Sequence, residues 1–281
     1  MATSQKLPER SIKTVMGEIN STEAQVPGTY PIHPETTINT LYNVFPNKND
    51  IVQSAPPLQY FGIGINGFYN TGDKIQGTPY QPKAREAGLY QPIPFRCVPI
   101  DQDLSAAERT NYRMRVEQSF NGNRYWCYYL KKLEAVDNST RVVRIDPVTG
   151  EEAPYEFSTD YLTPTPVKPS VSGEAEGDVT EIVVTKRVRA VVTGSEVYEA
   201  INVMFEGDLT YAKISEWGLF TGVDATVTGY DAAGASFNYT EAIYAQLAYK
   251  LCNTGSGVHS VSWDGSRIFV LGNARLLATS L

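Results

Sequence analysis

Gly62, Gly64 and Gly67 stand in the spacing G-x-G-x-x-G within "YFGIGINGFYNTGDK", the one spacing here that would by itself dictate an architecture. In a dinucleotide-binding fold it closes a strand with a tight turn and opens a helix whose N-terminus holds a pyrophosphate. The residues that would have to form that helix, "FYNTGDKIQGTPYQP", contain Gly72, Gly77, Pro79 and Pro82 and show no apolar period of 3.6. Glycine costs about 1 kcal/mol and proline about 3 kcal/mol in a helix interior. No useful helix follows, and no repeated strand–helix unit surrounds the motif. These glycines are expected to be structural, in a strand that bends or lies close to another backbone. No cofactor is expected.

The rest of the chain reads as mainly β. "LQYFGIGI" and "LYQPIPFRCVPI" are strand-like, the second carrying prolines that suit a sheet edge. "RYWCYYLKKLEAV" is apolar on both faces and reads as an inner strand, and "TRVVRIDPVTGEEAPYEF" reads as a hairpin turning at Asp146, Pro147 and Gly150. One clear helix is expected over residues 105–119, where Ser105 and Glu108 form a capping box and Asn121-Gly122 supplies a left-handed stop. Arg109, Arg113 and Arg115 would decorate that helix, either solvated or paired with acids of a neighbouring subunit. Further on, "TEIVVTKRVRAVVTG", "EAINVMFEG", "AKISEWGLFTG", "EAIYAQLAYKLC" and "SRIFVLGNARLL" are taken as strands, the fourth also fitting a helix. The stretch at 222–238 reads as a long glycine-rich loop, a class often functional or flexible.

Two composition shifts divide the chain. Residues 1–57 mix prolines, asparagines and threonines with single apolar residues at no steady period, too little to build a core of their own. An extended arm laid across another surface fits them, with Tyr30, Ile32, Tyr42, Val44 and Phe45 as its contacts. The competing reading makes the segment the first strands of the main domain. "TPTPVKPSVSGEAEGD", with prolines, glycines and acids, reads as a linker. The expected organisation is an extended N-terminal arm (1–57), a β-rich domain with one helix (58–162), a linker (163–180) and a C-terminal β domain (181–281). The fold class is mainly β with one clear helix, in two sandwich-like blocks.

A net charge of −7 argues against a dedicated nucleic-acid binder, which needs a basic stripe to release counterions. No stretch approaches the roughly 18 apolar residues of a membrane span, and the N-terminus lacks a signal-peptide core. Cys97, Cys127 and Cys252 form no C-x-x-C pair and leave one thiol odd, so no disulfide framework and a reducing compartment are expected. His33 and His259 lie far apart, which leaves histidine-activated nucleophiles and His-rich metal sites without members. The acidic pairs Asp101/Asp103 and Glu151/Glu152 flank turns. "KRVR" at Lys186–Arg189 interrupts an apolar strand, as an emerging middle or as edge protection. Catalysis has no foothold, and no enzyme is expected.

Three stretches carry a resemblance. "KISEWGLFTGVDATVTG" is similar to an "ISEIGL" plus "GVD"-type strand and loop, with Trp217 in place of the usual aliphatic residue. "IPFRCVPIDQDLSAAERTNYRMR" followed by "YWCYYLKKLE", and the ending "VSWDGSRIFVLGNARLL", also fit. In these blocks the chain resembles virion structural proteins of contractile-tailed bacteriophages, in particular baseplate, tail-end and neck components. The resemblance implies a non-enzymatic subunit present in several copies around the tail axis. Its partners would be other virion proteins and copies of itself, with no membrane and no specific nucleic acid. It implies location in the virion tail after assembly in the host bacterial cytoplasm. Trp217 joins the arm residues and the three arginines as candidate interface residues. The alternative is a carbohydrate- or host-receptor-binding module of the tail that takes a host surface glycan.

Overall fold

The computed structural model describes residues 9–13, 17, 19–21, 24, 36–44, 55–70, 77–136, 141–146, 148–155, 179–230 and 233–279. The strands, in chain order, are β1 (Glu9–Lys13), β2 (Leu58–Gly64), β3 (Phe68–Tyr69), β4 (Thr78–Pro79), β5 (Pro92–Ile93), β6 (Arg96–Pro99), β7 (Tyr112–Phe120) and β8 (Asn123–Lys132). They continue with β9 (Glu134–Ala135), β10 (Arg141–Ile145), β11 (Glu152–Pro154), β12 (Val179–Ala190), β13 (Lys213–Tyr230), β14 (Ser236–Gly257) and β15 (Arg267–Thr279). The fold is mainly β, as its residues indicate.

The chain forms two compact units, and the larger is discontinuous, built from Met1–Leu133 and Val191–Ser266. Its eight-stranded antiparallel sheet runs β1-β14-β13-β2-β8-β6, with β5 beside β2 and β7 beside β8. The second unit, Glu134–Ala190 with Arg267–Leu281, is a five-stranded antiparallel sheet ordered β11-β10-β12-β15, with β9 beside β12. The sequential division at 163–180 is therefore replaced by one in which segments of the two units alternate along the chain. β13 and β14 belong with β2, and the second unit joins the segment between β8 and the helix Gly194–Met204 to the C-terminal strand β15. The proposed linker segment 163–178 lies outside the described residues. The 141–155 hairpin forms as read: Asp146 Oδ1 accepts from the N–H groups of Val148 and Thr149, and Gly150 takes a φ of 72°. "KRVR" sits on β12, an inner strand, so edge protection is not its role. Lys186 and Arg189 emerge to solvent, Arg189 pairing with Glu134 at 2.7 Å.

Three element assignments change, the third being the 222–238 stretch, which is strand at 222–230 and 236–238. The expected helix at 105–119 is a single turn, Ala106–Arg109, followed by the strand β7. Its capping box is real: Ser105 N–H donates to Glu108 at 3.0 Å and Glu108 N–H donates to Ser105 Oγ. However, Asn121 (φ 51°) and Gly122 (φ 79°) do not end a helix. They form the two-residue loop of the β7–β8 hairpin, where positive φ at both positions matches the strand twist. Conversely, the residues read as the strand "EAINVMFEG" lie largely in the helix Gly194–Met204, whose own capping box pairs Thr193 with Glu196. Val197, Ala200 and Ile201 form its buried face.

The opening glycines are explained by close approach. A Cβ on Gly64 would lie 2.5 Å from a Glu216 carboxylate oxygen, and one on Gly67 would lie 2.1 Å from the Ser215 carbonyl oxygen. After Gly67 the chain runs into β3, not a helix. Because the Gly67 obstacle is backbone, Gly67→Ala forces the two segments apart. It should cost about 1–3 kcal/mol of stability, in the range of overpacked cores, measurable as a lowered Tm. An unchanged Tm would remove this account of the motif.

Candidate functional site

The described parts of the N-terminal segment lie on the chain's own sheet. β1 pairs with residues 249–253 of β14, Thr37 bridges to Gln246, and Asn39 both donates to the Ala242 carbonyl (2.9 Å) and accepts from the Ala245 N–H (2.6 Å). Ile38 and Val44 are buried, and Tyr42 stacks on Tyr129 with ring centroids 4.4 Å apart. The competing sequence reading, a first strand or two of the main domain, fits β1, whereas Ile38–Tyr42 forms a short helix that bonds to the same sheet, and an arm crossing another subunit describes neither. The cause is β14 itself, whose 22 residues outrun β1 and leave an edge that this segment closes. Tyr30, Ile32 and Phe45 lie outside the described residues.

The three arginines are also used internally. Because 112–120 is a strand, Arg113 and Arg115 lie two positions apart, and both are buried. Arg113, 2% exposed, clamps Asp224 with Nε to Oδ1 at 2.7 Å and Nη2 to Oδ2 at 2.9 Å. Its Nη1 donates to the carbonyls of Arg109, Thr110 and Tyr112. Tyr60 OH donates to the same Asp224 at 2.6 Å and Lys132 Nζ lies 2.7 Å away. Arg115 Nε donates to Asp103 at 2.8 Å, which also accepts from Tyr128 OH at 2.5 Å. The Arg115 guanidinium lies 3.3 Å from the Trp126 ring centre, and Arg109 lies 4.4 Å from that of Phe237. Trp217 is buried beside Phe61. These groups hold the core together instead of facing a neighbouring subunit.

A second device recurs: a carboxylate placed where the backbone has N–H groups without a ladder partner. Met114 has a φ of 58°, and its N–H and that of Arg115 donate to the buried Glu241 at 2.6 and 3.0 Å. Glu216 likewise accepts from Tyr90 and Gln91 N–H at 2.7 and 3.0 Å, and Glu199 accepts from Cys97 N–H at 2.5 Å. N–H groups shielded from water without partners are costly, so these glutamates stabilise backbone that no ladder satisfies. No periodicity rule reveals them, since Glu216 and Glu241 each look like one charge in an apolar strand and Glu199 like one charge on a helix.

The charges respond oppositely to acid. For Asp224, burial opposes ionisation, but the bonds from Arg113, Lys132 and Tyr60 outweigh it and hold the carboxyl well below its ordinary 3.8. That contribution is present above 3.8 and lost as pH falls through the lower folded-state value. Glu241 is held above its ordinary 4.5 by burial, against the donors around it, so its contribution is greatest in acid and declines as pH rises past 4.5. Unfolding free energy measured against pH below 4 should fall more steeply in the wild type than in Asp224→Asn. Equal slopes would show that the Asp224 cluster is not charged as described.

Two surface features remain. The 222–238 stretch is not a loop: β13 and β14 continue as a ladder from Asp224↔Ala242 to Tyr230↔Ser236. β2 accompanies β13 only at 216–221 and β1 accompanies β14 only at 249–253, so among the described residues no third strand pairs with this end. Its inward side chains include Val227 and Glu241, while Thr226, Thr228, Asn238 and Thr240 face solvent and Tyr230 is 62% exposed. From Ala225 to Tyr230 and from Ser236 to Thr240 there is no charge and no proline. The Thr-x-Thr alternation is the strand signal in this stretch, interrupted by Gly222 and Gly229. The second feature is a run of tyrosine rings, Tyr69–Tyr80–Tyr90, with centroids 5.2 and 5.5 Å apart and the outer two about 40% exposed. Beneath it the buried Lys250 Nζ lies 3.1 Å from the Tyr90 ring centre and 2.9 Å from Glu86.

Among the described residues no group of three or more His, Cys, Asp or Glu is placed to hold a metal ion, and no helix is long and apolar enough to cross a membrane. No curated protein and no solved structure matches the chain. A family model does match, over residues 1–267, and by that match the chain belongs to a family of unknown function, DUF7208.

Proposed function

We propose that the protein is a non-enzymatic structural subunit of a tailed-phage virion, in its baseplate or tail–neck assembly, built into the particle through contacts with copies of itself and other virion proteins. The resemblance of its sequence blocks to tail components suggests the setting. The observation that carries the reading is the open end of the β13–β14 ribbon. Exposed strand edges are a liability that proteins normally blunt with lysine, proline or a covering segment. Here the N-terminal segment covers β14 up to Ala242, yet both edges beyond stay uncharged and uncovered among the described residues. Ribbons laid side by side, β13 of one copy beside β14 of the next, continue one antiparallel sheet without a break in direction. A neighbour around a symmetry axis would supply the missing strand.

Mass-spectrometric and density assignment within purified particles tests this directly, and absence from the particle would end it. Thr226→Asp combined with Thr228→Asp, on the exposed face, should leave the Tm within a few degrees of wild type and block incorporation. The tyrosine run favours one other reading, a glycan-binding tail module, because exposed tyrosines suit stacking on sugar rings. Glycan binding abolished by Tyr69→Ala and Tyr90→Ala, in a protein that does not enter particles, would replace the structural reading.

A further inference from the structure

Cys97 in β6 and Cys127 in β8 are direct cross-strand partners, and their Sγ atoms lie 3.6 Å apart. Both side chains are buried, at 5% and 0% exposure, in one cluster with Met114, Val116 and Tyr129. Cys97 N–H points away from β8 and donates to Glu199. The pair is thus of the non-hydrogen-bonded kind, in which facing residues approach most closely, with Cα atoms about 4.5 Å apart. That separation falls at the short end of the range a disulfide spans. β6 ends the sheet order, held on its outer side by Glu199, which bonds Cys97 N–H and Arg96 Nε (3.1 Å to Oε2).

We propose that Cys97 and Cys127 form a reversible oxidation site, closing a β6–β8 cross-link by exchange with a small-molecule disulfide. One thiolate attacks a sulfur of the small disulfide, forming a mixed disulfide and releasing one small thiol. The second cysteine then displaces the other small thiol. In sum, two cysteine thiols and one small disulfide become one protein disulfide and two small thiols, with both protons passing to the released thiols. The hydrogen bond with Cys127, together with burial, holds the Cys97 thiol above its ordinary value of 9.0, so it stays protonated in the closed sheet. The thiolate is the reactive form, and exchange therefore waits for the edge strand β6 to open. The cross-link spans a 30-residue separation that includes Asp103, the helix Ala106–Arg109 and β7, and it staples these to the sheet. Cys252 is buried on β14 and joins no such pair among the described residues.

The test uses the full-length reduced protein incubated with oxidised glutathione, followed by thiol blocking and non-reducing peptide mapping. The expected result is a peptide linking Cys97 to Cys127, two hydrogens lighter than the reduced pair, with Cys252 still free. The oxidised protein should melt several degrees higher, and dithiothreitol should reverse both changes. Cys127→Ser should instead accumulate a glutathione adduct on Cys97. Glu199→Gln, which loosens β6, should speed cross-linking severalfold while wild-type Tm is nearly kept. Persistence of both free thiols in folded protein, a link involving Cys252, or a link that forms only in denaturant would each overturn the proposal. So would an oxidised form that melts no higher than the reduced one.

Discussion

Asp224→Ala should destabilise the protein by about 3–5 kcal/mol, the cost of leaving one partner of a buried ion pair without the other. The asymmetry of the cluster makes Asp224 the sensitive member. Removing Asp224 leaves Arg113, 2% exposed, as a buried cation facing only three carbonyl oxygens and the tyrosine hydroxyl that had donated to the acid. Removing Arg113 instead leaves Asp224 with Lys132 and Tyr60, and Asp224 retains some solvent contact. Arg113→Met should therefore cost clearly less. The double variant Asp224→Leu with Arg113→Met should recover part of the loss, because well-packed apolar replacements of a buried pair are often near neutral. Urea unfolding of the wild type, Asp224→Leu, Arg113→Met and their double variant gives the cycle. If Asp224→Ala costs under about 1 kcal/mol, the value of an exposed pair, the Asp224–Arg113 clamp is not closed in solution.

Much of the strand content could be read from alternation, as in β12, and from turn chemistry, as at Asp146–Gly150. The errors fall where a local signal was correct but its continuation was decided elsewhere. Ser105 and Glu108 cap a turn, yet Tyr112–Phe120 goes to β because Met114 and Val116 meet the core and Asn121-Gly122 sets a hairpin. The helix Gly194–Met204 carries its own local signals, the capping pair Thr193 and Glu196 and apolar spacing at Val197, Ala200 and Ile201. Partnerships between distant residues were not legible at all. Asp224 and Arg113 are 111 positions apart, and nothing local marks Arg113 as buried. The same holds for Cys97 and Cys127, whose spacing resembles no motif and whose proximity comes from β6 and β8 pairing in one register. The ribbon's glycines are loop-like in composition, while pairing over seven positions makes the stretch strand.

The same logic gives the second large effect, removal of residues 1–44. A free arm would leave the isolated protein's melting temperature unchanged, whereas the contacts of β1, Ile38, Asn39, Tyr42 and Val44 with the main sheet imply collapse. Ile38 and Val44 each contribute roughly 1.5–3 kcal/mol through burial. Asn39 satisfies the Ala242 carbonyl and the Ala245 N–H, and each buried backbone group left unpaired costs about 1–3 kcal/mol. Together these reach the lower end of the roughly 5–15 kcal/mol by which domains are stable. The truncated chain should therefore be unfolded or aggregated at room temperature, with the bared β14 edge from Ala242 to Asn253 as the aggregation site. Asn39→Ala in the full chain separates this from a general truncation artefact, since it removes both bonds and little else. It should lower stability by about 2–4 kcal/mol, as two lost partners would, and hasten hydrogen exchange in the 242–246 peptide before the rest of β14. A truncated protein that is soluble, monomeric and as stable as wild type would return residues 1–44 to the role of an arm.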